Sequence, residues 1–210
     1  VTWERNILSN VFFGGDPFVY IHAAYVAAAD DTVTRGGNDS PVVLTQGQIN
    51  SHTSGGVKSL DSTFISGYSR GFGNDFPRVA FDATTNQPVF VWNDASLHPL
   101  GDIWLRTTSS DLFALDPIQR VNDDDSFALH MLPAVSVGSD GSIRTSWYDR
   151  RQHGADSTKT DYFAEVRPDA TTDTADFKVT TGSSDWAGTS SLINPNFGDY
   201  TDNASVGTTT

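Results

Sequence analysis

The residues of this sequence best suited to chemistry are polar side chains that follow strands ending in tryptophan. Asp94 follows the first such strand, and the run Asp149, Arg150 and Arg151 follows the second. A guanidinium grips a carboxylate through two parallel hydrogen bonds, and an aspartate can act as a general acid or base. We therefore take these four residues as candidate catalytic groups. For the two arginines the alternative is a salt bridge to Asp149 or Asp161 that holds neighbouring sheets together.

A run of three aspartates is a candidate structural calcium site. Asp123 and Asp125 could bind Ca²⁺ together with Asp75 or Asn122, because carboxylate and amide oxygens are the ligands that this cation prefers. Consecutive side chains diverge, however, so a solvated turn is the alternative for the same run. The five histidines lack the close spacing of a zinc or iron site, and no other cofactor is predicted.

Charge and composition disfavour several classes of function. The 210 residues include 26 Asp and Glu against 13 Lys and Arg, a formal charge of −13 that disfavours binding to nucleic acid. The sequence has no cysteine, which excludes disulfides, zinc–thiolate sites and a cysteine nucleophile but is compatible with secretion. No apolar run approaches the roughly 20 residues that a membrane span needs.

Short alternating runs of apolar and polar residues, bounded by Gly, Pro, Asn and Asp, predict an all-β fold. The runs recur in a fixed order: a strand led by proline, a turn, a strand ending in tryptophan, a third strand and a short outer strand. The two clearest copies begin at Pro77 and Pro133, a weaker copy begins at Pro17, and a further copy begins near Pro195.

A four-stranded antiparallel unit that repeats in this way predicts β-propeller blades, because one sheet can bury both of its faces only by stacking between neighbours. The predicted blades cover residues 14–70, 74–122 and 126–182, with the start of another at 194–210. Propellers carry about four to eight blades, so we expect these three to four blades to belong to a six- or seven-bladed ring. The missing blades would come from the same parent chain or from a homo-oligomer.

The repeat also places many polar residues on one face. With the proline-led strand innermost, the loops between second and third strands share a face with the loops that enter each innermost strand. That face surrounds the channel mouth, where propeller ligands usually bind. The residues placed there are Asp75, Asn93, Asp94, His98, Asp102, Asp123, Asp124, Asp125, His130, Asp149, Arg150, Arg151, His153, Asp156, Asp161, Asp199 and Tyr200.

Three motifs resemble those of the bacterial sialidase-like propellers, whose blades carry Asp-box (BNR) repeats of the form Ser-x-Asp-x-Gly-x-Thr-Trp. They read Pro-Arg-Val-Ala-Phe-Asp at 77–82, Val-Trp-Asn-Asp at 91–94 and Asp-Ile-Trp-Leu-Arg-Thr-Thr-Ser-Ser-Asp at 102–111. The Asp-boxes themselves are degenerate, one at 109–113 and the next within 167–177. The segments at 147–151 and 197–200 are similar to recurring segments of the same family.

The resemblance implies a glycosidase site in which three arginines grip a substrate carboxylate, a tyrosine is the nucleophile and an aspartate transfers the proton. Arg150 or Arg151 would be one gripping arginine, Arg78 another, and Tyr200 the nucleophile. The family pairs its tyrosine with a glutamate, and no matching glutamate stands beside Tyr200. The remaining residues expected to bind ligand are His98, Asp199 and Trp186, the last as a platform for a sugar ring.

Two functions are therefore expected of a secreted or cell-surface protein. The first is a sialidase-like propeller that binds or hydrolyses a glycan or glycoprotein. The alternative is a non-catalytic surface or structural propeller that mediates protein or assembly contacts. The two differ in whether three arginines and a Tyr–Glu pair converge on one channel mouth, counting residues supplied by the missing blades.

Overall fold

The computed structural model describes strands within the first 48 residues and most of the chain from residue 77 onward. The described residues are 2–7, 18–23, 25–26, 33–34, 42–48, 77–94, 97–98, 100–110, 112, 114–154, 157–186 and 201–206. Their strands are β1 (Thr2–Ile7), β2 (Phe18–Ala23), β3 (Tyr25–Val26), β4 (Val33–Thr34), β5 (Val42–Gln48), β6 (Arg78–Asp82), β7 (Gln87–Asp94), β8 (Asp102–Thr107), β9 (Gln119–Arg120), β10 (His130–Val137), β11 (Ile143–Asp149), β12 (Lys159–Arg167), β13 (Phe177–Lys178) and β14 (Ser184–Asp185). The prediction of an all-β fold is confirmed.

Two antiparallel sheets follow the predicted repeat. Strands β6 to β9 form the first sheet in sequential order, and β10 to β13 form the second, to which β14 adds a further pairing with β12. Nearer the N-terminus, β2 lies between β1 and β5 in a three-stranded sheet, and β3 pairs with β4. Antiparallel sheets of this size are confirmed, whereas the blade boundaries and the closed ring stay predictions.

The first hairpin of each of these two sheets is closed by an aspartate that binds its own turn. Asp82 ends β6, and its carboxylate accepts hydrogen bonds from Thr84 N at 2.8 Å and Thr85 Oγ1 at 2.6 Å. Asp140 follows β10 and accepts bonds from Ser142 N at 3.1 Å and Ser142 Oγ at 2.7 Å. Such local bonds fix a tight turn, and the turn sets the register of the strands that it joins.

An apolar core fills the space between the two sheets. Trp147 of β11 lies in this core, whereas Trp92 of β7 packs with Phe90 and Leu112 on the opposite face of the first sheet. The two repeat-related tryptophans therefore project from the equivalent face of their own sheets, and both are fully buried. The core residues between the sheets are Val89, Val91, Ile103, Leu105, Val121, Val135, Ile143, Trp147 and Phe163.

The two hairpin turns approach each other at Gly141. Its φ of 84° lies in the left-handed region, and a β-carbon added there would stand 2.8 Å from Thr84 Oγ1. Gly154 has a similar φ of 81° but nothing within 4 Å of the same position. In urea denaturation we expect Gly141→Ala to lower the free energy of unfolding by about 2 to 3 kcal/mol and Gly154→Ala by about 1 kcal/mol. Equal losses would contradict the close approach of the turns.

Candidate functional site

Asp149 ends β11 and lies fully buried at the loop end of the core between the sheets. Its Oδ2 accepts hydrogen bonds from Trp147 Nε1 at 2.9 Å and from Arg151 Nε at 2.8 Å. Its Oδ1 accepts a bond from the backbone N–H of Arg151 at 2.7 Å. Both carboxylate oxygens are therefore occupied by donors from the protein itself.

The Arg151 guanidinium is the centre of an ion cluster. It lies 2.7 Å from Asp149 Oδ2, 3.2 Å from Asp124 Oδ1, 3.3 Å from Asp123 Oδ1 and 2.9 Å from Asp176 Oδ2. Two of its nitrogens bond the two oxygens of Asp176, the fork geometry that makes arginine pairs strong. Burial acts to lower the pKa of Arg151, but the bonds to Asp149 and Asp176 outweigh it and raise that pKa. This arginine is a permanent cation held by four carboxylates.

His130 supplies a second buried cation. Its Nδ1 lies 2.8 Å from the Gly101 carbonyl oxygen, and its Nε2 lies 2.9 Å from Asp124 Oδ1 and 3.4 Å from Asp149 Oδ2. A carbonyl oxygen and an ionised carboxylate can only accept hydrogen bonds. Both ring nitrogens of His130 must therefore carry protons. The imidazolium thereby joins the start of β10 to the start of β8 in the first sheet.

The same three groups have the donor set of a metal site. Asp124, His130 and Asp149 each offer a ligand atom, and these atoms lie within 4.8 Å of one another. The ring proton of His130 and a guanidinium nitrogen of Arg151 already point at these oxygens. A metal ion would have to displace both cations, so the arrangement fits an ion cluster in which the protein's own cations bind these carboxylates.

The network continues into the first sheet through Asn122. Its Nδ2 donates to Asp102 Oδ1 at 3.0 Å and to Asp124 Oδ1 at 3.2 Å, while its Oδ1 accepts a bond from Ile103 N at 2.8 Å. Asp102 is fully buried at the start of β8 and is also bonded to the ring of His98 at 2.9 Å. Buried polar groups thus run without a break from the loop after β7 to the loop after β11.

A histidine–aspartate pair recurs in the second sheet. His153 Nε2 lies 2.9 Å from Asp161 Oδ2. In the first sheet, His98 Nδ1 lies at the same distance from Asp102 Oδ1. Ser183 Oγ also lies 2.9 Å from His153 Nε2. Because the serine and the aspartate share one ring nitrogen, this trio lacks the relay geometry of a catalytic triad, in which they use opposite nitrogens.

Arg150 points away from Arg151 and into the protein. It is fully buried, its Nε donates to Thr160 Oγ1 at 3.0 Å, and its guanidinium lies 5.5 Å from the centre of the Trp186 ring. Burial lowers the pKa of Arg150 to about 10. Trp186 is only 5% exposed, and Tyr148 contacts its ring edge-to-face at 5.1 Å. The two residues predicted to meet a ligand therefore pack against each other.

The predicted calcium ligands bind different arginines. Asp123 lies beside Arg151 at 3.3 Å, and Asp125 lies beside Arg120 at 2.9 Å. Asp123 N also donates to Asp176 Oδ2 at 3.2 Å. The two carboxylates thus pair with separate arginines and do not converge on one point, as ligands of a single calcium ion would.

The other predicted site residues are spread more widely. Arg78 begins β6 opposite Val91, and Asp94 ends β7 opposite Asp102. Asp199 and Tyr200 lie outside the described residues. Of the predicted set, the structure therefore joins five residues through the network around Asp124, Asn122 and Arg120, namely His98, Asp123, Asp125, Asp149 and Arg151.

Sequence reasoning missed a second polar cluster at the opposite end of the sheets. Arg167 bonds Glu165 Oε2 at 2.7 Å and Gln119 Oε1 at 2.8 Å, and it donates to the Arg120 carbonyl oxygen at 2.9 Å. Burial raises the pKa of Glu165 even though Arg167 is beside it. A sequence signal for this cluster lies in β12, where charged residues occupy alternate positions on the same face of the strand as the core residue Phe163.

Comparisons with known proteins identify no relative of this chain. No protein-family model matches the sequence, and no match was found among curated proteins or solved structures. Within the described chain, no helix has the length and hydropathy needed to cross a membrane.

Proposed function

We propose that this chain is a non-catalytic β-propeller module, secreted or displayed at a cell surface, whose loop face binds a partner. One observation carries the proposal: the guanidinium of Arg151 is bound by Asp149, Asp124, Asp123 and Asp176. An arginine that grips a substrate carboxylate must present two parallel N–H groups to it. Those groups of Arg151 are already bonded within the protein.

The neighbouring candidates favour the same proposal. Asp149 accepts bonds from Trp147 and Arg151 and is fully buried, so it is out of hydrogen-bond reach of a substrate on the surface. Arg150 is buried beside Trp186. The residues that their types suggested as catalytic are thus bound to other groups of the protein. Such contacts are expected of a propeller in which charged residues hold the blades together.

The propeller part of the proposal is supported by the stacking of the two sheets. The second sheet covers the first through a common apolar core, and Trp92 and Trp147 have the same orientation in their own sheets. Further sheets, from the same parent chain or another copy, would cover the outer faces in the same way.

Assays of glycoside turnover test the proposal. We expect no release of fluorophore from a fluorogenic α-sialoside or from neutral aryl glycosides, under conditions in which a bacterial sialidase cleaves the sialoside. Turnover that disappears in a folded Arg151→Lys variant would contradict the proposal, because lysine keeps the charge but cannot bind a carboxylate through a fork.

A further inference from the structure

Two large apolar side chains project from the loop face. Leu97, in the loop between β7 and β8, is 56% exposed, and Phe127, in the loop that enters β10, is 68% exposed. Exposed aromatic and aliphatic side chains that occur together mark surfaces where proteins dock, since aromatic residues contribute much of the binding free energy at interfaces.

The patch is held in place by the polar network beneath it. The ring of His98, adjacent to Leu97, meets the Phe127 ring edge-to-face with centroids 5.9 Å apart. His98 is itself fixed to the buried Asp102 by its Nδ1 at 2.9 Å and its backbone N–H at 3.2 Å. An aromatic group anchored in this way loses little conformational freedom on binding.

The polar network beside the patch holds more carboxylates than cationic groups. Six carboxylates are joined in the network beside it, whereas only four groups there carry or can take up a positive charge. The carboxylates belong to Asp102, Asp123, Asp124, Asp125, Asp149 and Asp176, and the cationic groups to His98, Arg120, His130 and Arg151. The side chain of Asp125, two residues before Phe127, is 86% exposed, and the whole chain carries a formal charge of −13.

We propose that Leu97 and Phe127 form the docking site for a basic segment of a partner protein. An apolar side chain of that segment packs on the Phe127 ring, and its lysines or arginines lie beside Asp125 and Asp123. Complementary charge attracts and orients the partner, while the apolar contact retains it. This inference rests on the proposed function, because it specifies what the loop face binds.

Titration of the intact protein with a defined peptide tests the inference. The probe is a peptide with two lysines on each side of a tryptophan, labelled with a fluorophore, and its binding is followed by anisotropy at low salt. We expect Phe127→Ala to weaken binding about tenfold and Asp125→Asn to weaken it less. Phe177→Ala is the matched control, because Phe177 is also about half exposed, at 49%, but lies on the outer strand β13.

The outcomes separate the possible ligands. Loss of binding in Phe127→Ala with retention in Phe177→Ala, together with weakening by added salt, supports the docking site. Equal binding by both variants, or no binding by the wild type, would overturn it. The docking site would also be overturned if the protein bound neutral oligosaccharides through Phe127 and did not bind the peptide. Each of these results leaves the non-catalytic assignment intact, since glycoside turnover alone decides that.

Discussion

Arg151→Met is expected to lower the free energy of unfolding by about 3 to 5 kcal/mol, the cost of removing one partner from a buried ion pair. The substitution retains much of the side chain's length but leaves the buried Asp149 with His130, 3.4 Å away, as its remaining cation, and it removes the cation that Asp124 and Asp176 share. It also removes the guanidinium that lies 4.3 Å from the Phe163 ring centre. Urea denaturation followed by tryptophan fluorescence measures the loss.

Arg120→Met is the matched control for this change. Arg120 pairs with the largely exposed Asp125 at 2.9 Å and lies 3.9 Å from the buried Asp102, so its loss should cost about 1 to 2 kcal/mol. Arg151→Lys should fall between the two, because an ammonium keeps the charge but cannot make the forked contacts with Asp149 and Asp176. If Arg151→Met proved as mild as Arg120→Met, the ion cluster would not be holding the sheets.

The second large effect is expected in the pH dependence of stability and centres on His130. Burial acts to lower the pKa of His130, but its bond to Asp124 and the charges of Asp149 and Asp124 outweigh burial and raise that pKa. A histidine of this kind stabilises the fold fully below its unfolded pKa of about 6.5. Its contribution is lost as the pH rises through the higher pKa of the folded state.

Asp124 sets the acid side of the same profile. Burial acts to raise its pKa, but bonds from His130 and Ser126 and the charge of Arg151 hold that pKa well below the ordinary range. A carboxylate of this kind contributes fully above its unfolded pKa of about 4, and the contribution is lost as the pH falls through the lower folded value. The free energy of unfolding should therefore decline on both sides of a plateau that extends from about pH 4 to about pH 6.5.

His130→Gln isolates the histidine's part of this profile. We expect it to cost about 3 kcal/mol at about pH 6 and to flatten the alkaline decline, since glutamine cannot lose the proton that His130 loses as the pH rises. His153→Gln is the control, because His153 is partly exposed and pairs with Asp161 away from the cluster. Urea denaturation from pH 5 to 9 gives both profiles. An alkaline decline unchanged in His130→Gln would assign the effect to another group.

Much of the fold could be predicted because its signals are local. The period of two in β7 places Val89 and Val91 on one face and Phe90 and Trp92 on the other. Because all four residues are apolar, burial of both faces is expected, and both are buried. The repeat predicted a turn after each proline-led strand, and the structure shows Asp82 and Asp140 binding the backbone of those turns. The order of the strands within each sheet followed from the repeat.

The site was harder to predict because its contacts join distant parts of the chain. The repeat placed His98, His130 and Arg151 on a common face, and the structure links them in one network. Nothing local shows that Arg150 and Arg151 point in opposite directions, or that Asp176 completes the cluster from a segment resembling a degenerate Asp-box. Whether a charged residue serves a ligand or the fold depends on partners that sequence spacing does not reveal.

Amide hydrogen exchange of the wild type and Arg151→Lys tests the central claim, that the Arg151 cluster holds the two sheets together. Because the network reaches Asn122 and Ile103, we predict exchange about tenfold faster or more in β8 of the first sheet as well as in β11 of the second. Faster exchange confined to residues 149–153, with β8 unchanged, would contradict the claim.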